Sequence, residues 1–74
     1  MPYNYAKLLG RIAEKIGTQG AFADRMERSE RTISLKLNGK VGWTQSEIAK
    51  ACEVLDIQAH EIPDYFFALQ VQNS

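Results

Sequence analysis

The sequence predicts an all-α domain, a compact bundle of four to five helices with a short C-terminal strand left open. Three observations carry that expectation. Apolar residues recur at helical spacing from Tyr5 to Ile16 and again from Ile48 to Leu55. Helix-starting residues stand at Thr18, at Ser29 and in the Thr44-x-x-Glu47 capping pattern. Gly17 and Asn38-Gly39 sit where helices would stop, because these residues tolerate the left-handed conformation that closes a helix. With 74 residues the chain is expected to be one domain. A domain of that size buries only about 60–65% of its unfolded surface, so it needs an efficient core.

The first helix is expected from Tyr5 to Ile16, with Tyr5, Leu8, Leu9, Ile12 and Ile16 as one apolar stripe. Lys7, Arg11 and Lys15 form a basic row on another face, read as a solvated face more readily than as a phosphate track. The second helix spans about Gln19 to Met26 and starts at Thr18, with Phe22, Ala23 and Met26 as its apolar positions. A turn around Glu27-Arg28 leads to a third helix from about Glu30 to Leu37, with Ile33 and Leu37 facing the core. Ser29, Glu30, Arg31, Ser34, Leu35 and Asn38 project on its other side or at its ends. The region 18–39 thus has the order of a helix-turn-helix motif.

Thr44 and Glu47 give the best-signed helix start, with Trp43 and Ile48 placed as a hydrophobic staple. That fourth helix runs to about Leu55 and turns Ile48, Ala51, Cys52 and Leu55 inward. Beyond it, Gln58 to Ile62 reads as one helical turn whose simple continuation Pro63 forbids. From Phe67 to Gln72 the alternation fits either a strand, which would need a partner such as a second copy, or a fifth helix with a frayed tail, the latter favoured.

Net charge is zero, which argues against nucleic acid, but its distribution argues back. Met1 to Trp43 holds eight bases and four acids, a net +4, and the remainder holds one base and five acids, a net −4. Such a dipolar domain can turn its basic pole toward phosphates. One cysteine excludes an internal disulfide and fits a reducing cytoplasm. No apolar run approaches the ~18 residues of a membrane span, and the N-terminus lacks signal-peptide features. The expected location is the cytoplasm of a bacterial host.

Enzyme chemistry is not expected. Cys52, Asp56 and His60 share an i, i+4, i+8 spacing, but the helix break near Ile57 spoils their alignment. No Gly-rich phosphate loop follows a strand. No metal, cofactor or small-molecule ligand is expected.

Gln19, Ala23, Met26, Ser29, Thr32, Ile33 and Asn38-Gly39 stand where the Cro/CI-type helix-turn-helix family carries similar residues. Over nearly its full length the chain also resembles small single-domain phage repressors of low-GC Gram-positive hosts, through TQGAFAD, SERTISLKLNGK, the run from Glu47 to Ile57, and IPDYFF. The resemblance implies a lambda-repressor-like fold and a transcriptional regulator reading a double-stranded DNA operator. Ser29, Glu30, Arg31, Ser34, Leu35 and Asn38 would then meet or flank bases, with Arg31 forking onto guanine. Thr18, Gln19, Lys36 and Lys40 would meet phosphates, and Glu30 would either accept from a cytosine amine or simply repel phosphate. The small footprint suggests a homodimer on a two-fold site. Three positions depart from the family pattern: Glu27 where Gly is usual, and Arg28 and Lys36 where apolar residues are usual. The alternative is a protein–protein interaction module on a helix-turn-helix scaffold, working through an aromatic patch at Tyr65, Phe66 and Phe67.

Overall fold

A computed structural model describes residues 3–70 as an all-α domain. Its helices are α1 (Ala6–Lys15), α2 (Gln19–Met26), α3 (Glu30–Leu37), α4 (Gln45–Leu55) and α5 (Ile62–Phe66), with a 3₁₀ turn at Ala59–Glu61. Each expected start signal is used as such. The Thr18, Ser29 and Thr44 hydroxyls accept from the backbone N–H groups of Ala21, Thr32 and Glu47, and Glu47 closes the capping box back onto Thr44. Gly17 ends α1 at φ +112, and Gly39 follows α3 at φ +74, conformations that an L side chain strains to adopt.

The helices enclose one core. Leu8 and Ile12 of α1, Phe22, Ala23 and Met26 of α2, and Ile33 and Leu37 of α3 meet Ala51 and Leu55 of α4. Tyr65 and Phe66 of α5 close it from below. Leu8, Phe22, Ile33, Leu55 and Phe66 are fully buried, each stabilising the fold by about 1.5–3 kcal/mol. Trp43 and Ile48 pack against this core from the start of α4, as a staple should.

Several expectations change. Leu9 does not join the α1 stripe but stands exposed. The row Lys7, Arg11, Lys15 is neither a free face nor a phosphate track at its centre: the Arg11 guanidinium donates to the carbonyls of Leu55 (2.9 Å) and Asp56 (2.7 Å) at the end of α4 and pairs with Glu14. Cation donors are favourable at that negative helix end. Pro63 does not stop the helical path. The 3₁₀ turn passes directly into α5, where Pro63 lies in the first turn and its missing N–H breaks no helix bond. The helix ends at Phe66, with Phe67 as its cap, so within the described residues the favoured fifth-helix reading of 67–72 gives way to irregular chain over 67–70. There the partner is the start of the same chain, not a second copy: Asn4 N–H donates to Ala68 O at 2.7 Å, and Tyr3 and Leu69 form one antiparallel bridge. This is a single bridge and not a strand. Val71 and Gln72 lie outside the described residues.

Candidate interaction surfaces

The first surface is the outer side of α2 and α3. The two helices are joined at Glu27-Arg28-Ser29, and Glu27 adopts the left-handed conformation (φ 58, ψ 40) that the turn requires. Arg31, Ser34, Leu35 and Asn38 fall at i, i+3, i+4 and i+7, so α3 brings them onto one side. Arg31 is exposed and makes no hydrogen bond or ion pair among the described residues. Ser34 and Leu35 are half-buried. The Asn38 side chain is exposed but donates back to the Ser34 carbonyl at 2.8 Å. Ser29 caps the helix, its hydroxyl bonded to both the backbone N–H and the hydroxyl of Thr32. Thr18 likewise caps α2, beside the half-buried Gln19. Lys40 is exposed just beyond α3 and has no carboxylate partner among the described residues.

Glu30 is exposed at the start of α3, and its carboxylate leans over the first turn of α2. The two carboxylate oxygens lie 3.4 and 3.6 Å from where a Cβ on Gly20 would stand.

Lys36 is the clear correction. It is expected at a phosphate, but only 5% of its surface is exposed. Its Nζ is held by Glu47 Oε1 at 2.9 Å and by the Gly42 carbonyl at 2.8 Å. Glu47 Oε2 takes a second cation, Arg28 Nε, at 3.2 Å. Burial alone would push the Glu47 carboxyl up. The Thr44 N–H, Lys36, the Thr44 side chain and Arg28 more than reverse this and hold it at about 2. The two cations at positions where the resembled family has apolar residues therefore share one carboxylate that already caps α4. Sequence reasoning missed this cluster, although Arg28 and Lys36 were flagged as unusual.

Internal pairing removes much of the basic pole. Arg11, Arg28 and Lys36 are engaged as described, Lys7 lies 3.8 Å from Asp64, and Lys50 lies 3.7 Å from Glu27. Lys15, Arg25, Arg31 and Lys40 remain without an ion pair among the described residues.

The second surface is apolar. Tyr3, Leu9, Val41, Phe67 and Leu69 are 41 to 54% exposed, and they gather around Tyr3. The Tyr3 ring meets Phe67 edge-on at 5.9 Å, and Leu69 is its bridge partner. An open groove of about 390 Å³ joins Tyr3 and Phe67 to Val41, Tyr5, Trp43 and Phe66. A neighbouring hollow joins Tyr3 to Leu9 and Asn38. Beneath, Tyr5, Trp43 and Phe66 form an aromatic cluster, with Trp43 and Phe66 edge-on at 5.3 Å. The buried Trp43 Nε1 has no acceptor among the described residues, a deficit of about 1–3 kcal/mol for a desolvated donor. Burial, and then Tyr3, push the Tyr5 hydroxyl up. Of the aromatic patch expected at Tyr65, Phe66 and Phe67, the first two are core and only Phe67 reaches the surface.

Among the described residues no group of three His, Cys, Asp or Glu side chains is placed to hold a metal ion. Cys52 lies on α4, Asp56 is its left-handed cap and His60 sits in the 3₁₀ turn, so the three share no helix face. Burial raises the Cys52 thiol pKa, which keeps it protonated and unreactive. No helix among the described residues is long and apolar enough to cross a membrane.

Comparison with known proteins adds two findings. The model of a family described as protein of unknown function (DUF739) matches residues 1–69. The solution structure of the modulator of repression (MOR) of the temperate bacteriophage TP901-1 from Lactococcus lactis is similar at 54% identity, covers 97% of each chain and superposes with a TM-score of 0.81. No protein with a curated description matches.

Proposed function

The chain belongs to the DUF739 family, and from that premise we propose that it is a phage or prophage modulator of repression that works by binding a repressor protein in the host cytoplasm. The observation that carries this reading is that the large exposed apolar side chains of the described residues line hollows shared with Tyr3 or, for Leu69, bridge to it. Scattered apolar residues are ordinary on a small domain, whereas a contiguous patch rimmed by polar groups marks a contact surface. Aromatic anchors such as Tyr3 and Phe67 are the side chains that dominate protein interfaces. The likeness to the phage modulator supports the partner's identity as a repressor. The internal pairing of Arg11, Arg28 and Lys36 supports a protein partner over DNA, because nonspecific DNA affinity comes from cations free to displace counterions.

Calorimetric titration with the repressor of the encoding phage tests this directly. A one-to-one complex weakened at least about ten-fold by Phe67→Ala, with unfolding unchanged, is the expected result. No complex at tens of micromolar, or a complex indifferent to both Phe67→Ala and Tyr3→Ser, would overturn it.

A second reading keeps the Cro/CI-like role, with α3 in the major groove. The exposure of Arg31 and Lys40 favours it, with Ser34 and Leu35 beside them. It requires gel shifts that weaken steeply with salt, loss of base preference in Arg31→Ala and uniform weakening in Lys40→Ala. A homodimer on a two-fold operator belongs to this reading.

A further inference from the structure

We propose that Glu30 denies the α2–α3 surface to nucleic acid, by seating a carboxylate where a backbone phosphate would approach the first turn of α2. The first turn of a helix presents backbone N–H groups that attract anions. Here Thr18 takes the Ala21 N–H, which leaves Gln19 and Gly20 without acceptors among the described residues. Gly20 offers no side chain, and the Glu30 carboxylate lies in that space, 3.4 to 3.6 Å from the vacant Cβ position. An anion of the chain's own therefore stands at the positive end of α2. A phosphate arriving there meets a like charge, while Arg28, just before α3, and Lys36, within it, are turned toward Glu47. Thr18 and Gln19, the expected phosphate contacts, immediately precede Gly20 in the chain.

Glu30 is thus a specificity-determining residue. It lets a helix-turn-helix surface persist on a protein whose partner is another protein. This goes beyond the contact surface around Tyr3, and the two ideas are tested by different measurements.

The test is fluorescence anisotropy with mixed-sequence 20-base-pair duplexes over a salt series, using the full chain and the variants Glu30→Gln and Glu30→Lys. Glu53, exposed on α4 with no ion-pair partner among the described residues, supplies the controls Glu53→Gln and Glu53→Lys with identical changes in net charge. Circular dichroism establishes that each variant is folded. Glu30→Gln is expected to raise duplex affinity at least about five-fold at low salt. Glu30→Lys is expected to raise it further and to steepen the salt slope by about one. The Glu53 variants should change affinity less than about two-fold. Equal gains at both positions would mean that only net charge matters and would overturn the proposal, as would no gain at Glu30. Repressor titration of the same variants reads the protein contact separately, so loss of one idea leaves the other standing.

Discussion

Replacing Lys36 with methionine isolates the buried charge cluster. Lys36 and Glu47 are each about nine-tenths buried, and their charged atoms are 2.9 Å apart. The fold lowers the Glu47 carboxyl from 4.5 to about 2. At about 1.4 kcal/mol per pH unit, that is worth about 3 kcal/mol at neutral pH. A domain of this size has about 4–11 kcal/mol in all. Removing one partner of a buried pair costs about 3–5 kcal/mol. Here Arg28 and the Thr44 N–H still satisfy Glu47, so Lys36→Met is expected to cost about 2–3 kcal/mol in urea unfolding at pH 7. Because folding depresses this pKa, the unfolded chain takes up the proton first. The stabilisation is full above about pH 4.5 and is lost as pH falls toward 2. Lys36→Met raises the folded pKa and flattens that acid limb. The double variant Lys36→Met/Glu47→Gln should lose less than the sum of its parts, because it leaves no unpaired buried charge. A Lys36→Met protein within 0.5 kcal/mol of the parent, with an unchanged acid limb, would refute the reasoning.

Arg11→Met retains the side-chain stem but removes the guanidinium from the Leu55 and Asp56 carbonyls, and chemical denaturation should show a loss of about 1.5–3 kcal/mol. Glu27→Gly relieves a left-handed residue at φ 58 and should raise stability by about 0.5–1 kcal/mol, since the exposed 3.7 Å pair with Lys50 contributes little. Gly17→Ala meets the opposite situation at φ +112 and should lower the thermal midpoint, by at least the cost of about 1 kcal/mol. Phe67→Ala, nearly half exposed, should leave unfolding within about 0.5 kcal/mol while it weakens the repressor complex.

The helices were legible because their signals are local. Thr18, Ser29 and the Thr44–Glu47 pair act through hydrogen bonds to residues three positions away, and those bonds form as the spacing implies. What failed depends on pairs distant in sequence. Arg11 reads as a member of a basic row until α4 ends beside it, 44 residues later. Lys36 reads as a surface cation until Glu47 arrives beneath it. Leu9 fits the α1 stripe by spacing, but it falls on the flank that Tyr3 leaves uncovered. The apolar surface was only half visible, through Phe67, because its centre, Tyr3, lies at the other end of the chain. The alternation after Phe67 yields only one bridge among the described residues, and nothing in it named Tyr3 as the partner.

The bridge between Tyr3 and Leu69 has a consequence during synthesis. Tyr3 is made more than sixty residues before Phe67 and Leu69, so a prematurely stopped product that ends before Phe67 lacks half of the apolar surface. On the proposed function, a partner that reads this surface would also distinguish chains translated through residue 69 from shorter ones.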